Sequence, residues 1–405
     1  MFDHTPTVQA HEVLPLSHKP VHYRKTNHFL WAGCRFWLNP SCQVHAQPWR
    51  KRFVIGKSCE LSFPSGEIGV LGAGHWGRNL ARNFASMKAL GALCDIVSDK
   101  ANALSAQFGG QVMARERMLA EPAIAAVVIA TPSHLHFEHV KEALGAGKHV
   151  FVEKPLALSA LEANSLAQIA QDGQRKLMVG HLLQFHPAFQ KMRELVKGGA
   201  IGSIRAISAT RHTMGRIRDN DDALWDLAPH DVSMIRSLVG ADPVVVTARG
   251  AAVKTPASVD VAHISLALPG TAIAQISVSR VHPFKEQRLI VVGDRGTIVF
   301  EDTNANPDRK LMIYPQTREA GDLYAVPPGD GKAIQVDRHE PLGMECRHFL
   351  ECIRDDRHPF TDGREGADVV AVLEAAARSI HRNNGLLTPG LDRRNNVVVD
   401  LRAMS

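Results

Sequence analysis

Long apolar runs are absent. Nowhere does the chain approach the roughly 18 consecutive hydrophobic residues that a membrane-spanning helix needs, so no membrane partner is expected. Cysteine is scarce as well: six in 405 residues (Cys34, Cys42, Cys59, Cys94, Cys346 and Cys352), none in a Cys-x-x-Cys pair. That spacing supports neither a disulfide scaffold nor a thiolate metal site; the thiols read as free and no metal is expected. The first 30 residues lack the uninterrupted apolar core of an export signal. Arg50-Lys51-Arg52 is followed by only four apolar or small residues before Lys57, so it does not supply one either, and a cytoplasmic location is the default.

Excess charge is also missing from most of the chain. Residues 1–65 carry eight Lys/Arg against three Asp/Glu, which leaves 39 against 38 for everything after them. The basic character therefore sits in the leader, and the near-neutral body argues against nucleic acid as its partner. The same 65 residues hold six of the 21 histidines and several prolines, with no sustained helical or strand period. They read as an N-terminal extension, either disordered or preceding the true start of the protein. A histidine-rich metal tail, or a docking arm through Trp31, Phe36 and Trp37, would need a ligand spacing or repeat that is not there.

What is present is length for two sizeable cores, with 45% hydrophobic and 22% charged residues, an ordinary globular balance. From Glu67 onward strand and helix patterns alternate: strands at 68–71, 93–98, 126–130 and 149–152, helices at 78–87, 101–108 and 136–146. Ala126-Val127-Val128-Ile129-Ala130 is apolar on both faces, as a central parallel strand should be. The pattern predicts an α/β fold: a doubly wound parallel (Rossmann) sheet over 66–185. Helices follow at 159–171 and 186–197. After about Asp242 strand patterns dominate (244–248, 260–268, 272–278, 288–292 and 297–300), which predicts a second, mostly antiparallel sheet in an α/β domain over 186–390. A Pro-, Gly- and Asp-rich loop is expected at 307–338, helices at 344–354 and 367–382, and a tail at 391–405.

Gly72-Ala73-Gly74-His75-Trp76-Gly77 follows the first strand and opens a helix. Gly72 permits the tight turn, Gly74 lets the backbone approach a pyrophosphate, and Gly77 allows close helix–strand packing. The helix N-terminus then offers free N–H groups to phosphate, with His75 and Trp76 in the turn. Asp99, 22 residues beyond Gly77, ends the second predicted strand. An acid there can accept from the adenosine ribose hydroxyls and would repel a 2′-phosphate, so NAD is favoured over NADP; its alternative role is to cap the next helix. Thr131-Pro132 and His136 follow the 126–130 strand at its carboxyl end, where ligands sit in such sheets.

Glu153-Lys154-Pro155 closes the next strand at the same edge. Asp226 and His230 are four apart and share one face if helical. Pro229 places that helix at its first turn, which by itself makes Asp226 an N-cap and His230 an exposed first-turn residue.

Taken together, Gly72–Gly77, Asp99, Ala130-Thr131-Pro132, Glu153-Lys154-Pro155, Asp226…His230 and Pro359-Phe360-Thr361-Asp362-Gly363 resemble the glucose–fructose oxidoreductase/inositol dehydrogenase/MocA (Gfo/Idh/MocA) family over about residues 66–390. The resemblance implies a Rossmann domain followed by an α/β domain with an open, mostly antiparallel sheet, and hydride transfer between a nicotinamide and a sugar or polyol carbon. It maps the family's lysine to Lys154 and its Asp/His pair to Asp226 and His230; the glycine often found two before the histidine is Ala228 here. Gly74-His75-Trp76-Gly77-Arg78-Asn79 and Gly180-His181-Leu182-Leu183-Gln184-Phe185-His186-Pro187 are most similar to the sugar-nucleotide members, which oxidise the 3-hydroxyl of UDP-N-acetylglucosamine or its uronic acid.

The implied roles are His230 as base, Asp226 fixing the imidazole, and Lys154 donating to the developing alkoxide. His181, Gln184 and His186 are candidates to face the sugar, and Arg211, with His212, to meet a diphosphate or carboxylate. A free-polyol dehydrogenase and a non-catalytic NAD-binding sensor use the same scaffold. An exposed open sheet would favour a homodimer or homotetramer.

Overall fold

The computed structural model describes residues 66–214, 222–253, 258–315, 317–318, 324–325 and 331–383; the expected N-terminal extension and C-terminal tail lie outside them. Six parallel strands form the first sheet: β1 (Ile68–Leu71), β2 (Leu90–Cys94), β3 (Gln111–Val112), β4 (Ala126–Ile129), β5 (His149–Glu153) and β6 (Leu177–Gly180). Their order is β3-β2-β1-β4-β5-β6. Every residue of β1 and β4 is buried, as expected for strands covered on both faces. Helices α1 (His75–Ser86), α2 (Ser98–Phe108), α3 (Arg115–Ala120), α4 (His136–Gly145) and α5 (Ala160–Asp172) supply that cover.

One boundary differs with consequence. β2 occupies Leu90–Cys94 rather than 93–98, because Ala92 and Leu93 are the residues that pair with β1 and reach the core. Asp99 is therefore not at a strand end; it is an exposed residue in the first turn of α2. Asp95 takes the position directly after β2.

After α6 (Pro187–Lys197) the chain builds an eight-stranded sheet from β7 (Ile204–Met214), β8 (Val245–Ala251), β9 (Val261–Ala267), β10 (Ile273–Ser279), β11 (Val281–Gly293), β12 (Gly296–Glu301), β13 (Leu311–Pro315) and β14 (Lys332–Ala333). The order is β14-β13-β12-β11-β7-β10-β9-β8, and β7·β10 is its one parallel pair. Helix α7 (Ala223–Val239) packs on one face. Strand alternation sets that face: Ala262, Ile264 and Leu266 of β9 are buried, while His263, Ser265 and Ala267 point away and are exposed. β13 lies inside the stretch expected to be loop. Its flanks are rich in Pro, Gly and Asp, but Leu311 and Met312 are apolar enough to extend the core and pair with β12.

Two final helices tie the halves together. α8 (Pro341–Arg354) returns to the nucleotide sheet, where Leu342, Cys346 and Phe349 join Ile68, Val70 and Phe84; Phe349 meets Phe151 edge-on at 5.8 Å. Burying each such side chain contributes about 1.5–3 kcal/mol. α9 (Gly363–Asn383) contributes Ala367 and Val370 to the first core and Val369, Leu373 and Ile380 to the second. Its N-terminal turn thereby lies where the two cores adjoin. No described helix is long and apolar enough to cross a membrane.

Candidate active site

The glycine turn between β1 and α1 needs its glycines. Gly72 has φ +102°, and a Cβ there would lie 2.6 Å from the Ala130 carbonyl oxygen. At Gly77 a Cβ would fall 1.8 Å from the Gly72 carbonyl oxygen, so only glycine lets α1 start this close to the strand. Gly74 faces open space, and as N-cap of α1 it supplies no capping side chain. The first N–H groups of α1 and its partial positive charge thus face an open turn beside exposed His75 and Trp76, a fit for a pyrophosphate. Asp95 braces this turn: its Oδ2 accepts from the Ala73 N–H at 2.7 Å and its Oδ1 from the Val97 N–H at 2.8 Å.

At the ends of β4 and β5 the two loops are locked to each other. The His136 ring, 1% exposed, lies between the carbonyls of Pro155 (Nδ1, 2.7 Å) and Thr131 (Nε2, 2.9 Å). Each ring nitrogen faces a backbone carbonyl, one of which can accept from the neutral ring, so His136 braces these loops. Thr131 Oγ1 also meets His139 Nδ1 at 3.1 Å. Glu153 is buried and its carboxyl is pushed up to about 7, burial outweighing the opposing pull of Lys154.

Lys154, on the loop leaving β5, crosses to α7. Its Nζ donates to Asp226 Oδ1 and to the Asp226 backbone oxygen, each at 2.6 Å. Two of the ammonium's three N–H groups are thereby held, which aims the third. The carboxylate of Asp226 thus orients the lysine, where the sequence had assigned it to the imidazole.

α7 also begins earlier than expected. Asp222 is its N-cap, accepting from the Trp225 N–H at 3.0 Å, so Pro229 lies inside the helix, with Asp226 closing the first turn and His230 one turn further on. Asp222, an acid directly before the apolar Ala223-Leu224-Trp225, was the available signal for that cap. His230 Nδ1 is shielded from solvent and has no hydrogen-bond partner among the described residues. Burial, with Lys154, Arg211 and His181 nearby, holds the imidazole well below its usual value. The ring is therefore neutral near pH 7, with one ring nitrogen left unpartnered among the described residues.

The remaining candidates have internal duties. Arg211 of β7 makes a bidentate pair with Asp231, Nε–Oδ2 2.8 Å and Nη2–Oδ1 2.9 Å, both side chains buried. Gln184 donates to Ser233 Oγ at 2.8 Å and accepts from Arg193 at 2.9 Å. His186 is the N-cap of α6, accepting from the Ala188 N–H at 3.1 Å, and stacks on Phe300 at 4.8 Å. In each case a sheet-to-helix or loop-to-helix bond already engages polar atoms of the side chain. His181 is buried at the end of β6 and bonds Glu365 of α9, Nδ1–Oε2 2.6 Å. Glu365 lies 184 residues away in the sequence and carried no sequence signal.

With this geometry in view, the comparisons are specific. Residues 67–181 match the oxidoreductase family with an NAD-binding Rossmann fold, and residues 189–299 match the GFO/IDH/MocA C-terminal domain. The chain is 32% identical over 308 residues to the UDP-N-acetylglucosamine 3-dehydrogenase of Acidithiobacillus ferrooxidans, covering 75% of this chain and 93% of that one. It is 29% identical over 326 residues to the inositol 2-dehydrogenase of Rhizobium meliloti, covering 77% and 96%. A solved structure of the Acidithiobacillus enzyme superposes with a TM-score of 0.70 at 28% identity, over 79% of this chain and 99% of that one. A two-domain body with a glycine-lined dinucleotide cradle, matched along nearly the whole length of these relatives, makes the chain a member of the Gfo/Idh/MocA family of NAD-dependent oxidoreductases.

Proposed function

We propose that the chain oxidises a secondary hydroxyl of a sugar, and that its substrate is a nucleotide sugar like UDP-N-acetylglucosamine, oxidised at C3. The observation that carries this reading is the Lys154–Asp226 pair, which joins the carboxyl edge of the nucleotide sheet to the helix bearing His230. NAD, when bound, supplies the hydride acceptor. Gly72, Gly74 and Gly77 with the N-terminus of α1 would hold its pyrophosphate, and Asp95, rather than Asp99, its adenosine ribose. Thr131, Pro132 and Glu153 border the same edge.

In this mechanism the substrate hydroxyl donates to His230, whose neutral ring takes the proton as the C–H bond is lost. The free N–H of Lys154 holds the substrate oxygen as negative charge develops on it. Asp226 keeps that ammonium in place. Each acid–base contribution is worth about 10²–10⁴ in rate. Identity to the UDP-N-acetylglucosamine 3-dehydrogenase supports the nucleotide sugar, and similarity to inositol 2-dehydrogenase supports a second reading, oxidation of a free polyol.

The uncovered face of the second sheet, with exposed His263, Ser265 and Ala267, supports a homodimer or homotetramer, which light scattering would test. Incubating the protein and NAD with UDP-sugars and with inositols, and following reduced-nicotinamide absorbance, tests the function. Turnover with UDP-N-acetylglucosamine that free UDP inhibits supports the first reading. Turnover of inositol alone, indifferent to UDP, replaces it with the second.

A further inference from the structure

The helix that returns to the nucleotide sheet carries a buried acid that the mechanism above leaves unused. α8 runs from the carboxyl edge of that sheet to its amino edge. At its start Pro341 and Leu342 line a cleft with Trp76 of α1 and with Leu182, which follows β6. Just past its end Asp356 pairs with Lys176, the residue before β6, at 2.6 Å. Glu345 is one turn into α8 and so lies toward the cofactor edge. It is 1% exposed, and its Oε1 is shielded from solvent with no hydrogen-bond partner among the described residues. An unpartnered buried oxygen weakens a fold, so packing alone gives Glu345 no role.

Its charged neighbour is Glu153, the last residue of β5. Burial and the Glu153 charge together hold Glu345 well above the carboxylate range. Cys346, in the core beside them, registers both carboxyls: burial, then Glu345 and Glu153, push its thiol up. Glu153 is itself buried, its Oε2 3.3 Å from where a Cβ on Gly180 would stand, and burial pushes it up to about 7. Lys154 and His181 oppose that push and Asp226 adds to it. These cations have other acids to hold: Lys154 donates to Asp226, His181 bonds Glu365, and Arg82 of α1 meets Glu340 at the start of α8. Two neighbouring buried carboxyls cannot both ionise freely, and their protons belong to the pair.

The proposed function places the nicotinamide next to that pair. Hydride transfer needs ring carbon and substrate carbon roughly 3–3.5 Å apart, and Lys154, which holds the substrate oxygen, directly follows Glu153. We infer that Glu153 and Glu345 form one proton-sharing acid beside the nicotinamide: the pair gives up a proton when the positively charged ring of NAD⁺ binds and regains one once the ring is neutral, so rising pH favours the oxidised cofactor. The hydride and the hydroxyl proton leave the substrate as before. The proton that the pair takes from solvent after reduction returns to solvent when the next NAD⁺ binds, so nothing is gained or lost over a turnover. The inference rests on the proposed site, and its test reads binding rather than turnover.

The experiment measures NAD⁺ and NADH dissociation constants for the full-length protein from about pH 6 to about pH 8, with calorimetry in buffers of different ionisation heat to count protons. The two cofactor forms differ in the ring's charge, so contributions from the rest of the site cancel. A ring charge about 8–10 Å from the pair, at an effective dielectric near 20, lowers its midpoint by about one pH unit. From a free midpoint of about 7, NAD⁺ should then bind about fivefold more tightly at the upper pH, releasing about half a proton near neutrality. NADH should change less than about twofold. The double variant Glu153→Gln with Glu345→Gln keeps both shapes and should abolish the NAD⁺ response.

Equal pH responses for NAD⁺ and NADH in the wild type overturn the proposal, whether or not the double variant folds. So does a folded double variant that keeps the NAD⁺ response. Turnover of a UDP-sugar alongside equal responses leaves the proposed function standing and removes only the pair. The expected proton release with no sugar oxidised does the reverse.

Discussion

Replacing Asp231 by Asn tests whether the neighbour of His230 serves the fold or the substrate. Asp231 is wholly buried and takes both of its oxygens to Arg211, which is 5% exposed. The pair staples α7 to β7 at the level of the candidate base. Asn keeps the volume but leaves the guanidinium buried and uncompensated. Breaking such a pair from one side costs about 3–5 kcal/mol, which for a body of this size lowers the melting temperature on the order of 10 °C. Replacing both partners together, Arg211→Met with Asp231→Leu, removes the stranded charge and should recover most of that loss. Thermal unfolding of wild type and these two variants, with bound-NAD controls, is the assay. If Asp231→Asn melts within about 1 °C of wild type while KM for the sugar rises more than tenfold, Arg211 is a substrate ligand after all and the staple argument is wrong.

Other consequences are as specific. Asp226→Asn should loosen Lys154 and lower kcat by about 10–100-fold with little effect on NAD binding; an unchanged kcat would remove the lysine from the chemistry. Asp95→Ala should weaken NAD at least several-fold by fluorescence titration, and Asp99→Ala less than twofold, because only Asp95 follows β2 directly. Glu153 has a folded value of about 7, above the usual 4.5, chiefly through burial. Its stabilising effect is therefore full below pH 4.5 and lost as pH rises through 7, a swing of about 3 kcal/mol. Glu153→Gln should flatten that part of the stability–pH curve, and a curve unchanged by the substitution would show the carboxyl ionised throughout.

Much of the scaffold was legible because its signals are local. Gly72–Gly77 sits between an apolar tetrad and a helical pattern, and the steric demands at Gly72 and Gly77 are those the turn implied. Alternation along 260–268 and 272–278 marked strands whose inward residues are the observed core. Boundaries were less legible where polar residues continue an apolar run. Ile96 and Val97 extended the apparent second strand past Cys94, yet both are exposed, and this moved the acid expected at the strand end from Asp95 to Asp99.

At the site, residue types were readable and partners were not. Lys154 and Asp226 were expected at one site, Asp226 on the imidazole, but their own bond depends on a loop and a helix 72 residues apart. His181, Gln184, His186 and Arg211 had the right chemistry for a ligand. Only tertiary structure reveals that Glu365, Ser233, the Ala188 N–H and Asp231 already engage them.

The central claim is that Lys154 and His230 act on the same hydroxyl. Steady-state NAD reduction with UDP-N-acetylglucosamine by wild type, Lys154→Ala and His230→Ala, alongside NAD dissociation constants for each, tests it most directly. The account predicts turnover lower by about 10²-fold or more in both variants, with NAD affinity within about threefold of wild type. Near-normal turnover in both would contradict it.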